Sequence, residues 1–126
     1  MSDMTTIEVK AFVPARDFDL SKQFYQDIGF TLAWSDTELA YFHHGSSAFL
    51  LQHFYNQGHA DNFMMHLLVK DVDAWWRHIE SRGLAAKYGV TVQPPEDRPW
   101  GLRDFVLVDP TGVLWRIGQN IETPRP

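Results

Sequence analysis

The stretch RDFDLSKQFYQDIGF (16–30) decides the fold, because a second stretch, KDVDAWWRHIESRGL (70–84), repeats its layout 54 positions later. In each stretch a basic residue, an Asp, an apolar residue and a second Asp precede an amphipathic helical pattern that ends at a Gly. Asp19 and Asp73 are predicted to cap the two helices, and the glycines suit the left-handed position that follows a helix. Because the Asp residues before each helix and the Gly after it recur at the same spacing, the sequence predicts two copies of one supersecondary unit.

Three short strands are predicted after each helix, and an apolar strand before it completes a βαβββ unit. The predicted strands cover 31–34, 38–43 and 48–54 in the first copy, and 86–93, 103–108 and 113–118 in the second, with 94–99 as a loop. The sequence therefore predicts an α+β fold of two βαβββ modules that form curved mixed sheets. A single domain over 1–126 is divided into module 1 at about 7–54, a connector at 55–62 and module 2 at about 63–119. The alternative is two unrelated α+β pieces whose Asp-x-Asp caps coincide by chance.

Composition excludes several classes of function. Of 126 residues, 44% are hydrophobic and 21% charged, which is typical of a globular protein. The absence of Cys excludes a disulfide scaffold and any thiolate metal site. A net charge of −5 argues against nucleic acid or a membrane surface as partner, and the chain lacks a signal peptide pattern, so a cytoplasmic location is expected. Six His and five Trp need an explanation.

Three segments carry a family resemblance: VPARDFDLSKQFYQDIGF (13–30), LLVKDVDAWWRHIESRG (67–83) and PWGLRDFVLVDPTGVLWRI (99–117). In these segments the chain resembles the vicinal oxygen chelate superfamily, which contains glyoxalases, extradiol dioxygenases and bleomycin resistance proteins. It is most similar to the bleomycin resistance protein branch. The resemblance implies a homodimer that binds its drug, without metal, in a groove between the two subunits.

The resemblance also implies four positions for metal ligands, one on the first and one on the last strand of each module. In this chain those positions hold Lys10, Gln52, Met64 and Arg116. None of the four is a carboxylate or an imidazole, and two of them are cations that would repel a divalent metal. The prediction is therefore that the protein has no metal site and no cofactor.

The two cations at these positions have two possible roles. Lys10 and Arg116 could together hold an anionic group of a ligand. Alternatively, each pairs with a nearby carboxylate, Glu8 and Asp104 being candidates.

One histidine is a candidate for ligand binding. His66 shares its strand parity with Met64 and Leu68, so it is expected on the same face, where it hydrogen-bonds either a ligand or a buried neighbour. The default for the histidines at turns, in the connector and on the second helix is a polar role facing solvent: His43, His44, His59 and His78.

Trp100 is the tryptophan that a core explains least well. It lies between Pro and Gly101 in a charged segment, where it is better suited to stacking on a ligand than to packing inside. The resemblance implies that Trp100 stacks on the planar bithiazole of a bleomycin-like drug. It places the partner aromatic of that clamp near Leu39, for which Tyr41 or Trp34 could substitute.

The sequence thus favours a metal-independent binding protein over an enzyme. We expect it to sequester a planar bleomycin-like antibiotic or a related aromatic natural product, as a homodimer. The residues expected to contact the ligand are Trp100, Gly101, His66, Arg116, Phe54, Tyr41, Leu39 and Trp34. The alternatives are a glyoxalase- or isomerase-like metalloenzyme with a non-standard metal site, and a protein that senses a small metabolite.

Overall fold

Two four-stranded sheets form the framework of the protein. The computed structural model describes residues 2–122. The first module contains β1 (Phe12–Pro14), α1 (Phe18–Ile28), β2 (Thr31–Ser35), β3 (Leu39–His44) and β4 (Ser47–Gln52). After the connecting helix α2 (Gln57–Asp61), the second module contains β5 (Met64–Leu68), α3 (Val72–Ser81), α4 (Leu84–Tyr88), β6 (Val92–Arg98), β7 (Leu102–Val108) and β8 (Leu114–Asn120). No helix in this described part is both long and apolar enough to cross a membrane.

The two sheets have the same topology. Their strand orders are β1-β4-β3-β2 and β5-β8-β7-β6. In each sheet the first strand of the module pairs in parallel with the last, and the remaining neighbours are antiparallel. The predicted α+β fold of two βαβββ modules with mixed sheets is confirmed.

The strand registers show which residues of the two modules are equivalent. Phe12 lies opposite Leu50 on the parallel pair of the first sheet. His66, 54 positions after Phe12, lies opposite Arg116 on the parallel pair of the second. An aromatic–aliphatic pair in one module therefore occupies the place of an imidazole–guanidinium pair in the other.

The helix caps differ by two residues from those predicted. The Asp17 carboxylate accepts a hydrogen bond from the Leu20 N–H, and Asp71 caps α3 in the same way. Both caps have extended backbone angles, as an N-cap requires. The predicted caps, Asp19 and Asp73, lie instead in the first turn, where a negative charge is favourable next to the helix N-terminus.

Segment 84–98 also departs from the prediction. Residues 84–88 form the helix α4 rather than the start of a strand, and the helix is bounded by Gly83 and Gly89, both left-handed with φ of 59° and 63°. The predicted loop at 94–99 is mostly strand, because β6 extends to Arg98. Two prolines fit this strand since β6 lies at the edge of its sheet and its register shifts between Gln93 and Glu96.

Aromatic side chains from both modules pack in one cluster. The rings of Tyr25, Phe30, Phe49 and Trp115 lie 4.9–6.3 Å apart between centroids, and each is at most 4% exposed. Trp115 belongs to β8 of the second module, whereas the other three belong to the first. Trp115 therefore joins the apolar interiors of the two modules.

A buried hydrogen-bond chain strengthens this junction. The Trp115 indole donates to the Tyr25 hydroxyl at 2.9 Å, and that hydroxyl donates to one carboxylate oxygen of Asp109. The other oxygen of Asp109 accepts three backbone N–H groups, from residues 111, 112 and 113, each at 2.9 Å. The turn between β7 and β8 is thereby fixed to the middle of α1.

Burial changes the pKa of two groups in this hydrogen-bond chain, Tyr25 and Asp109. Desolvation and the neighbouring Asp109 raise the pKa of Tyr25 well above its usual value, which keeps the phenol protonated as a donor. Desolvation also raises the pKa of Asp109, although the bonds from Tyr25 and the turn N–H groups oppose that rise. The Tyr25 hydroxyl is therefore neutral at neutral pH, as a hydrogen-bond donor must be.

A second contact between the modules lies at the protein surface. Asp27 of α1 accepts hydrogen bonds from Lys87 at 2.7 Å and from the Tyr88 hydroxyl at 2.5 Å, both on α4. Arg82 lies 3.7 Å from the same carboxylate. The helix that the sequence did not predict is thus part of the contact between the modules.

Replacing Tyr25 with Phe tests the buried chain. The Asp109 oxygen and the Trp115 indole each lose a buried partner, so the free energy of unfolding should fall by about 2–4 kcal/mol in urea titrations. Tyr55→Phe, at an exposed tyrosine, serves as the control and should change it by less than about 0.5 kcal/mol. Equal unfolding midpoints for Tyr25→Phe and the wild type would show that the chain does not hold the modules together.

Candidate functional site

Each sheet has one face covered by helices and one face that its own chain leaves largely uncovered; we name the latter the open face. On β3, Ala40 and Phe42 point to the helices and are fully buried, whereas their neighbours Leu39, Tyr41 and His43 are half-buried. This alternation follows from the pleat of a strand. The open faces are where side chains remain accessible to a ligand or a second chain.

The open face of the first sheet is aromatic and aliphatic. Trp34 and Tyr41 are register partners on β2 and β3, and Leu39 follows on the same side of β3. Phe12 and Trp34 are 50% and 49% exposed, which is unusual for large apolar side chains. The structure thus brings three of the predicted ligand contacts, Leu39, Tyr41 and Trp34, onto one surface.

The segment before β1 runs past this face. Lys10 pairs with Glu8, lies 5.3 Å from the Tyr41 ring centroid, and the Tyr41 hydroxyl donates to Glu8 at 2.7 Å. Hydrogen bonds from Lys10 and then Tyr41 lower the pKa of Glu8. Of the two roles open to Lys10, pairing with the nearby carboxylate is the one observed.

The open face of the second sheet carries a charged cluster. Asp104, 1% exposed, accepts from Arg98 Nε at 2.8 Å and from Arg116 Nη1 at 3.2 Å. Arg98 also donates to Glu96 at 3.0 Å. Arg116 therefore pairs with Asp104, the partner considered from the sequence, while Arg98 is a second partner that the sequence analysis missed.

His66 lies beside this cluster. It is the register partner of Arg116 and is exposed, as are Met64 and Leu68 on the same face of β5. The neighbouring Gly118 leaves room for Asp104, because a Cβ built there would lie 3.1 Å from the Asp104 Cβ, whereas its distance of 3.5 Å to His66 Nε2 would be an ordinary contact. His66 is therefore not a core histidine within this chain.

Trp100 and Gly101 lie in the turn between β6 and β7. Trp100 is 62% exposed and takes part in none of the ring contacts found among residues 2–122. Gly101 has a φ of +87°, and its N–H donates to the Arg98 carbonyl at 3.2 Å. The left-handed backbone at Gly101 allows the tight turn that holds the indole away from the sheet.

Phe54 does not lie on a strand, contrary to the predicted range 48–54. β4 ends at Gln52, and the Phe54 ring lies 6.3 Å from the His59 ring of α2, with half of its surface exposed. The predicted contacts thus fall into separate groups within one chain: the open face of the first sheet, that of the second, the β6–β7 turn, and Phe54.

The four positions inferred for metal ligands are not at equivalent register positions in the two modules. Gln52 lies opposite Pro14, a place that corresponds to Gly118 in the second module, whereas Arg116 corresponds to Leu50. Between residues 2 and 122, no three side chains of His, Cys, Asp or Glu are grouped so that they could hold a metal ion.

Two surface depressions differ in their position relative to these faces. A cleft of about 320 Å³ lies between the start of β4 and strand β5, with Val9 and His66 in its lining. A more open depression of about 680 Å³ surrounds the start of α1, where Lys22 and His53 lie against Phe18. The cleft adjoins the second open face, whereas the larger depression is lined by exposed polar groups away from both faces.

Comparison with known proteins places these observations in a family. The model of the Glyoxalase/Bleomycin resistance protein/Dioxygenase superfamily matches residues 7–117. A bleomycin resistance protein of Klebsiella pneumoniae is 30% identical over 113 residues, which make up 86% of this chain and 88% of that protein.

Solved structures of bleomycin resistance and bleomycin-binding proteins have a similar fold. The crystal structure of a bleomycin resistance determinant encoded on the transposon Tn5 is similar with a TM-score of 0.76 and 26% identity, covering 91% of this chain and 98% of that one. A bleomycin-binding protein complexed with bleomycin gives the same TM-score and identity over 91% of this chain and 99% of its own.

The charged cluster can be tested through stability. Asp104→Asn leaves two guanidinium groups without their buried carboxylate, so the free energy of unfolding should fall by about 2–4 kcal/mol. Asp97→Asn removes an exposed partner of Arg103 and should cost less than about 1 kcal/mol. Urea titrations of both variants provide the comparison, and equal small losses would mean that Asp104 is not holding the cluster.

Proposed function

Because the chain belongs to the glyoxalase/bleomycin resistance protein/dioxygenase superfamily, we propose that it is a metal-independent small-molecule binding protein. It sequesters a planar, bleomycin-like antibiotic or a related aromatic natural product in a groove at a homodimer interface. The observation that carries this proposal is the set of aromatic side chains left uncovered on the open face and in the β6–β7 turn. Relatives that bind bleomycin, or confer resistance to it, support the choice of ligand.

The uncovered aromatics suit a planar ligand. Trp100 would stack on one ring system, because its indole is largely exposed and already held away from its own sheet. Tyr41, Trp34 and Leu39 would form a second apolar wall on the first sheet. Aromatic groups of this kind supply large contact areas at a low cost in side-chain entropy.

Polar contacts would orient the ligand. His66 and Arg116 lie side by side on the second open face, where both offer hydrogen-bonding groups toward solvent. Gly101 would let the ligand approach the turn closely, and Phe54 would border the groove. Binding alone then lowers the free drug concentration, so no catalytic step is needed for protection.

A second copy of the chain would complete the groove. The segment before β1 belongs to no helix or strand, and its apolar residues Ile7 and Val9 are 99% and 94% exposed within one chain. Exposed apolar segments and uncovered sheet faces are typical of surfaces that another subunit covers. In such a dimer, residues that lie apart in one chain can face each other across the two subunits.

Isothermal titration with metal-free bleomycin tests the ligand assignment. Trp100→Ala should weaken binding by about 1–3 kcal/mol, the usual effect of losing an aromatic anchor. Tyr55→Ala, at an exposed aromatic outside the proposed groove, should leave the affinity unchanged. Equal affinities for the wild type and Trp100→Ala would remove Trp100 from the site, and a wild type that does not bind would reject a bleomycin-like ligand.

Sedimentation velocity tests the dimer. The wild type should sediment as a dimer at micromolar concentration, and the double variant Ile7→Ser, Val9→Ser should raise the dimer dissociation constant at least about tenfold because it exposes less apolar surface for burial. Leu20→Ser, at an exposed apolar residue of α1, is the matched control and should not change it. A monomeric wild type would contradict the interface groove.

A further inference from the structure

We propose that the ligand carries an oxygen acceptor, a carboxylate or a carbonyl conjugated to its planar ring system, and that Arg116 binds this group. The inference rests on the proposed function, since it assigns a chemical class to a ligand of the same site. It differs from an expectation drawn from the net charge of −5, which favours a cationic guest.

Arg116 has hydrogen-bond donors that the described part of the protein does not use. Among the described residues, Nη1 is the one Arg116 nitrogen that donates a hydrogen bond, and it lies 3.2 and 3.4 Å from the two Asp104 oxygens. Within residues 2–122, Nε and Nη2 have no hydrogen-bond partner, and the side chain is 31% exposed. A guanidinium has five N–H donors in a rigid fork, so the unused edge of Arg116 fits an oxygen acceptor in its plane.

The positive charge of Arg116 is only partly compensated within the cluster. One buried carboxylate, Asp104, serves two guanidinium groups, and its shorter contact, 2.8 Å, is with Arg98. The other carboxylate, Glu96, is 66% exposed on its side chain and forms an ion pair with Arg98. An exposed carboxylate compensates little charge, so Arg116 keeps a positive field that favours an acceptor or an anion.

Most acidic residues of the chain lie away from Arg116. Asp73 and Asp97 pair with Arg103, which points to the helix side of β7 together with Phe105. Other acidic residues lie on or next to helices or in turns, among them Asp17, Asp19, Asp27, Asp36, Asp61, Asp71 and Glu80. The net charge therefore does not describe the open face of the second sheet.

The surroundings of Arg116 suit a ring that bears the acceptor. His66, its register partner, offers a further donor beside the guanidinium. Met64 and Leu68, more than half exposed, extend along the same face of β5 as an apolar strip. A planar aromatic acid or amide could place its ring on this strip and its oxygen at Arg116.

Three naphthalene probes of similar size distinguish the alternatives: 1-naphthoate, 1-naphthamide and 1-naphthylmethylammonium. Dissociation constants are measured on isotope-labelled protein by two-dimensional NMR, following the Arg116 Nε–H and the tryptophan indole signals. For the wild type we expect the affinities to fall in that order, with naphthoate binding at least about tenfold more tightly than the ammonium compound.

Arg116→Gln should abolish this preference, bringing naphthoate to within about threefold of the ammonium probe. Arg103→Gln is the matched control, because Arg103 is equally half-buried and doubly paired but lies on the opposite face of the same sheet. It should retain the wild-type order. The shift of the Arg116 Nε–H signal on adding naphthoate provides a readout that a change in stability alone would not produce.

The possible results separate this inference from the proposed function. Equal binding of the three probes, or a preference that survives Arg116→Gln, would overturn the acceptor assignment while leaving a binding protein. If bleomycin binds and none of the probes does, the acceptor assignment also fails alone. If neither bleomycin nor any probe binds, both proposals fail.

Discussion

The hydroxyl of Tyr25 holds the two modules in one arrangement. It accepts from the Trp115 indole and donates to Asp109, whose other oxygen organises the turn before β8. Because the contact joins the centre of α1 to the last hairpin of the other module, it fixes the position of one sheet relative to the other. The aromatic cluster around it supplies apolar burial, whereas the hydrogen bonds supply direction, since an unpaired group in that interior would be costly.

This arrangement leaves the other face of each sheet uncovered. The helices and the shared cluster take the apolar residues of one strand parity, whereas Trp34 and Met64 on the opposite parity stay 49% and 57% exposed. Large exposed apolar side chains weaken solubility unless something binds them. The fold is therefore stable as a framework while two faces remain available for a partner or a ligand.

Much of the fold followed from the repeat, for a physical reason. Helix caps, glycines after helices and alternating strands are local features, so the order of elements and the equivalence of the modules could be predicted from sequence. The error at the caps has the same origin: each helix begins with two aspartates, and only the backbone angles decide that Asp17 and Asp71 are the caps. Tertiary contacts decided α4, which is short and depends on its bonds to Asp27.

The candidate site was predicted less completely. Strand parity placed His66 on an open face, because alternation is a local property. The link between Arg98 and Asp104 spans a hairpin with a shifted register, and no local pattern gives that register. A signal was nevertheless present in the sequence. Asp104 directly precedes the apolar run FVLV (105–108), and a carboxylate in such a strand is buried only if it is paired. The net charge of −5 sums over faces that point in different directions, so it does not describe the charge of any one face.

The differences between equivalent positions of the modules suggest how a dimer could select its ligand. Phe12 and Leu50 on the first sheet correspond to His66 and Arg116 on the second, so one open face is apolar where the other has hydrogen-bond donors. A groove between subunits that paired two like faces would be either purely apolar or doubly cationic. A groove that opposed the first sheet of one subunit and the second sheet of its partner would offer a stacking wall on one side and donors on the other. Two-fold symmetry then produces two such grooves, each suited to a flat molecule with a polar edge.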